Sequence, residues 1–204
     1  MSTPSSNHEP ARAWSHIPLL LGLITLLAAL LRLCILPRIG LWYDEACTLF
    51  LSDYAAHWRQ LFNPDYNNDP PLFLIIILIW RRFIELLPVT PGSYLYDYLL
   101  RIPPILFSTL TVPAVYFAGR SVLSATSPIS AGETQTNAPP RDHPALLFAA
   151  LLTAISPIQL YYAHELRSYS LFALLGTLCL WCFAKASRDN RTSSWALLTI
   201  CLVL

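Results

Sequence analysis

The sequence predicts an all-α polytopic transmembrane helical bundle, with an interfacial (juxtamembrane) helix in its first external loop. Three observations predict it. The 204 residues are 55% hydrophobic and only 12% charged, about half the charge content of a soluble domain. Several apolar runs approach the roughly 20 residues that a helix needs to cross about 30 Å of hydrocarbon. The charges that remain gather near the ends of those runs and in the loops between them. A net charge of +1 leaves no basic patch to follow a phosphate backbone, which excludes nucleic acid as a partner. Cys34, Cys179, Cys182 and Cys201 fall inside apolar runs and Cys47 stands alone in a polar stretch, so no disulfide framework follows. Cys179-x-x-Cys182 has zinc-like spacing, but inside a lipid-embedded helix it reads as small apolar packing.

Residues 1–16 read as a disordered cytoplasmic tail whose only basic side chain is Arg12. Residues 17–36 supply the first span. A cleaved signal peptide is the competing reading, but the run outlasts a typical signal core and no small-x-small site closes it. Arg32, near its far end, is placed to snorkel or to face a polar cavity. Residues 37–101 form the first external loop. Within it the apolar run from Leu72 is interrupted by Arg81 and Arg82, followed by Glu85 and Pro88. Burying two arginines in mid-bilayer would cost about 2.5–3.5 kcal/mol each. The helix over 72–87 therefore lies in the interface, with Arg81, Arg82 and Glu85 toward headgroups.

Residues 102–119 cross next, with Pro103 and Pro104 suited to a helix start, Pro113 as a kink and Arg120 as the close. The stretch 120–143, rich in Ser, Thr, Pro and Ala, is a cytoplasmic linker. Residues 144–160 and 169–186 are further spans, separated by a polar cluster at 161–168. Residues 195–204 begin another helix. It is too short to cross, so the chain is expected to be the front part of a longer protein and inactive by itself. If 72–87 does not cross, parity puts Arg120, Arg141, Lys185, Arg188 and Arg191 on the cytoplasmic side, as the positive-inside rule favours. The same parity places Asp44, Glu45, Asp69 and Glu165 together on the external face.

Three clusters could carry chemistry. Asp44 and Glu45 follow the first span and are flanked by Trp42 and Tyr43. On a helix they point about 100° apart, so one faces a reaction centre while the other caps, pairs or binds a cation. Asp69 precedes Pro70 and Pro71, which suit the start of the interfacial helix; Asp69 is then either its N-cap or a site residue. In the third cluster, a continuous helix would stack Tyr161, Glu165 and Tyr169 on one face at i, i+4 and i+8. Glu165 and Arg167, framed by Tyr162 and Tyr169, would make either a structural ion pair or half of a site for a phosphorylated, sugar-bearing lipid. His164 reads as a polar neighbour. Arg101, at the outer start of its span, is a headgroup anchor or a substrate-phosphate clamp.

The segments Gly40-Leu41-Trp42-Tyr43-Asp44-Glu45-Ala46, Asp69-Pro70-Pro71-Leu72, Leu100-Arg101-Ile102-Pro103, and Ser156-Pro157 leading into Tyr162-Ala163-His164-Glu165-Leu166-Arg167-Ser168-Tyr169 occur in that order. Together they resemble the GT-C superfamily of membrane glycosyltransferases. The resemblance is to the bacterial branch of glycosyltransferase family 39, similar to protein mannosyltransferases and aminoarabinose transferases. It implies a plasma-membrane, multi-pass enzyme, in bacteria at the inner membrane, with one acidic motif in the first external loop and a second in the next. It also implies a polyprenyl-phosphate-linked sugar donor and a protein, lipid or glycan acceptor. One departure is that Asp69 stands where His or Lys usually precedes the Pro-Pro-Leu motif. On this reading Asp44 is the general base, with Glu45 beside it. The leaving phosphate is met by Arg101, Arg167 or a divalent metal ion held by carboxylates including Glu165. The rival readings are a transporter and a non-catalytic truncated remnant.

Overall fold

The structure is a computed structural model, and it describes residues 16–34, 40–54, 70–126 and 144–203. Asp69, the amino-terminal tail and most of the 120–143 linker lie outside the described residues. Among the described residues every regular element is helical. In chain order these are α1 (Ile17–Cys34), α2 (Tyr43–Tyr54), α3 (Pro71–Ile84), α4 (Tyr94–Leu100) and α5 (Ile102–Thr126). They continue with α6 (Pro144–Ile155), α7 (Pro157–Ala163), α8 (Tyr169–Asp189) and α9 (Thr192–Val203). Three of them, α1, α5 and α8, are long and apolar enough to cross a membrane, and a fourth span results if α6 and α7 count as one. Their outer faces suit lipid. Leu19, Leu23, Leu26 and Leu30 on α1 and Phe172, Leu180 and Phe183 on α8 are all exposed, more large apolar surface than a water-facing helix usually shows.

Several boundaries differ from the sequence expectation, each for a local reason. The second span does not close at Arg120: α5 runs on to Thr126, and Ser124 bonds its hydroxyl back to the Arg120 carbonyl. The expected single span over 144–160 is broken. Ser156 has φ −58° and ψ 123°, the extended ψ imposed on a residue before proline, and α6 and α7 meet there at 50°. Pro157 has no N–H with which to reach the Thr153 carbonyl. Ser156 then caps α7 by accepting a hydrogen bond from the Gln159 N–H at 3.5 Å. The continuous helix that would stack Tyr161, Glu165 and Tyr169 does not form, although Tyr161 still reaches Glu165. Helix α7 ends at Ala163, residues 164–168 turn, and Ser168 opens α8. At the start of α3 the N-cap position falls on Pro70, with Pro71 in the first turn.

Helix α5 is the centre of the bundle, packed along α8 and against α1 and α6. One apolar cluster joins Ile17, Leu21 and Ala28 of α1 to Val112 and Tyr116 of α5 and to Leu146, Ala150 and Ala154 of α6. Small residues let the backbones approach, as membrane helices require. At Gly119 even a Cβ would lie 2.7 Å from the Leu146 Cδ2. A second cluster joins Phe73, Ile77 and Ile84 of α3 to Tyr96 and Leu100 of α4, Leu166 of the turn and Leu171 of α8. Between α8 and α9 the chain reverses at Asn190, whose φ of 44° and ψ of 33° are left-handed values that asparagine accepts more readily than most residues.

The loop between α1 and α5 is built on its own small core. Arg81 bonds Asp53 at 2.7 Å and Glu85 at 3.1 Å, which ties α2 to α3. Trp80 donates its indole N–H to the Leu99 carbonyl at 2.7 Å, which ties α3 to α4. Arg81 is thus largely covered, whereas Arg82 faces outward and is paired to Glu85 at 3.0 Å. Helix α3 spans 14 residues, or about 21 Å, less than the core of a bilayer.

Candidate functional site

Glu45 lies in the first turn of α2 and its side chain is 1% exposed. Every partner around its carboxylate is a donor. One oxygen accepts from the Arg101 Nε at 3.1 Å and from the Leu166 N–H at 2.8 Å. The other accepts from the Arg101 Nη2 at 2.6 Å and from the Trp42 N–H at 3.3 Å. The guanidinium therefore grips the carboxylate in the fork geometry that makes such pairs strong. This one side chain joins three segments that are 56 and 121 residues apart in sequence. Glu45 follows the end of α1, Arg101 immediately precedes α5, and Leu166 follows α7. The carboxy-terminal end of α1, the start of α5 and the end of α7 thus lie at one end of the bundle, with α1 and α5 antiparallel.

Asp44, the neighbour of Glu45, is half-buried. Its backbone carbonyl accepts from the Thr48 hydroxyl at 3.1 Å, but its carboxylate has no hydrogen-bond partner among the described residues. Of the two adjacent acids, Glu45 is the one paired to an arginine among the described residues. Asp97, one helical turn before Arg101, is also buried. Burial pushes its carboxyl above the ordinary aspartate range; the charge of Arg101 works against this and that of Glu45 adds to it. The sequence carried a signal for it, an acid four residues before a base on one short helix.

On the turn between α7 and α8, Glu165 is buried and faces the Tyr161 hydroxyl. Arg167 lies 6.0 Å from the centre of the Tyr169 ring, and Tyr169 packs against Tyr162 with ring centres 4.6 Å apart. Tyr162, Glu165, Arg167 and Tyr169 therefore form one patch, joined to Glu45 through Leu166. The described residues contain no group of three or more His, Cys, Asp or Glu side chains able to hold a metal ion. Glu165 stands among tyrosines and an arginine there, a donor set that does not suit a divalent cation.

Beneath this layer lies a second one, centred on a residue that sequence reasoning noticed but did not place. Arg32 is fully buried. Its Nε donates to the Ser108 hydroxyl at 2.8 Å. Its Nη1 donates to the Ala28 and Ala154 carbonyls at 3.0 and 3.1 Å, and its Nη2 reaches the Thr153 carbonyl at 3.5 Å. The Ser108 hydroxyl in turn donates to Gln159. The carbonyls of Thr153 and Ala154 are those stranded by the break at Ser156-Pro157, so the cation sits on the negative end of α6. His164 bonds the Arg32 carbonyl through Nε2 at 2.7 Å, which makes Nε2 the donor. Burial holds the His164 imidazole below its usual pKa, and the Arg101 and Arg32 charges push the same way against that hydrogen bond. A groove of about 600 Å³ opens beside the break, between α5, α6–α7 and α8, with Thr153, Ser156, Gln159 and Thr177 among its lining.

Comparison with protein-family models, with curated proteins and with solved structures finds no match to this chain.

Proposed function

We propose that this protein is a membrane glycosyltransferase that moves a sugar from a polyprenyl-phosphate carrier to an acceptor on the extracytoplasmic face. The observation that carries the reading is the meeting of Glu45, Arg101 and the 164–168 turn at one end of the bundle, where Glu165 and Arg167 stand among tyrosines. In the proposed topology α1 runs outward, α5 inward, α6–α7 outward and α8 inward, in the plasma membrane. Helix α3 lies along the outer surface, with Ile79 and Phe83 toward lipid and Arg82 toward headgroups. Its length, short of a span, supports this placement.

In the proposed reaction the acceptor oxygen or nitrogen attacks the anomeric carbon while the bond from that carbon to the phosphate oxygen breaks. Asp44 takes the acceptor proton. Glu45 holds Arg101 and the turn in place rather than sharing the proton transfer. Arg167, beside Tyr169 at the end of the same turn, is the cation assigned to the departing phosphate. The test is sugar transfer by the full-length protein in vesicles, with a polyprenyl-phosphate-sugar donor. Asp44→Asn should abolish turnover at normal expression, and wild-type turnover in that variant would refute the base assignment. Cysteine labelling at position 165 should report the outer face.

One observation favours a second reading, a transporter. A broken helix with a buried cation and a polar-edged groove at the break is how transporters build midplane sites. Substrate counterflow in proteoliposomes, unaffected by Asp44→Asn, would select it.

A further inference from the structure

We infer that His164 is a positioning residue, whose hydrogen bond to the Arg32 carbonyl fixes the Glu165-bearing turn to the end of α1. Arg32 lies in the last turn of α1, where helix carbonyls have no partner within the helix. The His164 Nε2–H reaches that carbonyl at 2.7 Å across 132 residues of sequence. Arg32 is not a loose anchor. Its guanidinium is bonded to Ser108, Ala28, Ala154 and Thr153, so its backbone is held by two other helices. The turn therefore hangs from a fixed point on one side, through His164, and from Glu45 on the other, through the Leu166 N–H at 2.8 Å. Glu165 lies between these two tethers and Arg167 directly follows the second. Without the histidine tether, the turn keeps the Leu166 contact, the Tyr161 contact to Glu165 and the Ser170 hydroxyl on the Tyr162 carbonyl at 2.9 Å, but loses its attachment to α1.

The inference rests on the transferase reading for its effect on turnover, but not for its effect on structure, and the two are read separately. The structural arm uses full-length protein in detergent, with its native cysteines replaced and Ser168→Cys as reporter, since Ser168 is buried at the end of the turn. Its labelling rate by a maleimide reports opening of the turn. His164→Ala should raise that rate about fivefold to tenfold, the shift expected for one lost buried hydrogen bond. His164→Gln should leave it near the wild-type value, because the Gln amide nitrogen is as many bonds from Cα as the imidazole Nε2. His164→Asn, one bond shorter, should behave like His164→Ala. If His164→Ala does not fold, the Asn and Gln variants decide. Equal labelling in the wild-type, Asn and Gln proteins would overturn the inference, as would a Gln variant as open as Asn. In the transfer assay, His164→Ala should lower kcat by more than it raises KM, with His164→Gln restoring kcat. Labelling that follows the predicted order in a protein that transfers no sugar would leave the positioning role standing and remove the transferase reading.

Discussion

Replacing Glu45 by glutamine should unfold this end of the bundle, and the structure says why an isosteric change is not a mild one. All four contacts of the carboxylate come from donors: two guanidinium nitrogens and the N–H groups of Trp42 and Leu166. A carboxamide keeps one acceptor oxygen and turns an NH2 toward donors whichever way it is flipped. The side chains of Arg101 and Glu45 are 4% and 1% exposed, so water cannot take the place of the lost contacts. Removing one partner of a buried ion pair costs about 3–5 kcal/mol. For a chain of this length that corresponds to a fall in Tm of about 6–20 °C. The assay is thermal unfolding of the detergent-solubilised protein, followed by circular dichroism, for Glu45→Gln, Arg101→Met and the double variant Glu45→Leu/Arg101→Met. The double variant leaves no uncompensated charge and should lose less than either single change. A Glu45→Gln protein that melts within about 2 °C of the wild type, less than the shift of one kcal/mol, would refute the buried pair.

Other outcomes follow from the same contacts. Arg32→Met should cost about 1–3 kcal/mol, the penalty for leaving the Thr153 and Ala154 carbonyls short of a donor, measured by the same melting assay. Arg82→Ala should change stability by less than about 1 kcal/mol, because its pair with Glu85 is on the surface; a larger loss would mean that Arg82 is covered. The His164 pKa is held down in the fold, so the unfolded chain binds its proton first. Stability should be level above about pH 6.5 and decline as pH falls below it, by at most about 1.4 kcal/mol per pH unit for one proton. Subtracting the pH profile of His164→Gln isolates this from the opposite contribution of Asp97, whose raised pKa acts at lower pH.

Much of the helical plan was legible because apolar run length is a property of the chain alone. Residues 17–36, 102–119 and 169–186 matched α1, α5 and α8 to within a few positions at most ends. The interruption by Arg81 and Arg82 likewise located a helix too short to cross. The break at Ser156 was written in the Ser-Pro pair, but the surrounding run is apolar enough to hide it, and the polar turn at 164–168 looked helical because Tyr161, Glu165 and Tyr169 recur every four residues. Of the site, the division of labour between Asp44 and Glu45 was readable as a geometric necessity, although not which acid would pair. The Glu45–Arg101 pair was beyond reach, since nothing local marks two residues 56 apart as partners. Asp69 lies outside the described residues. Arg32 was visible as an oddity in an apolar run, but its four acceptors come from three different helices, and only assembly brings them together.

The interruption at Ser156-Pro157 and the lone cation in α1 are each a defect that lipid would punish if it occurred by itself. Together they cancel, because the carbonyls that the proline strands are the ones the guanidinium requires. The two positions should therefore drift through evolution as a unit. Residue 32 can become apolar only when residue 157 becomes a good helix former, and chains that change just one of them should be rare among any descendants that still insert and fold.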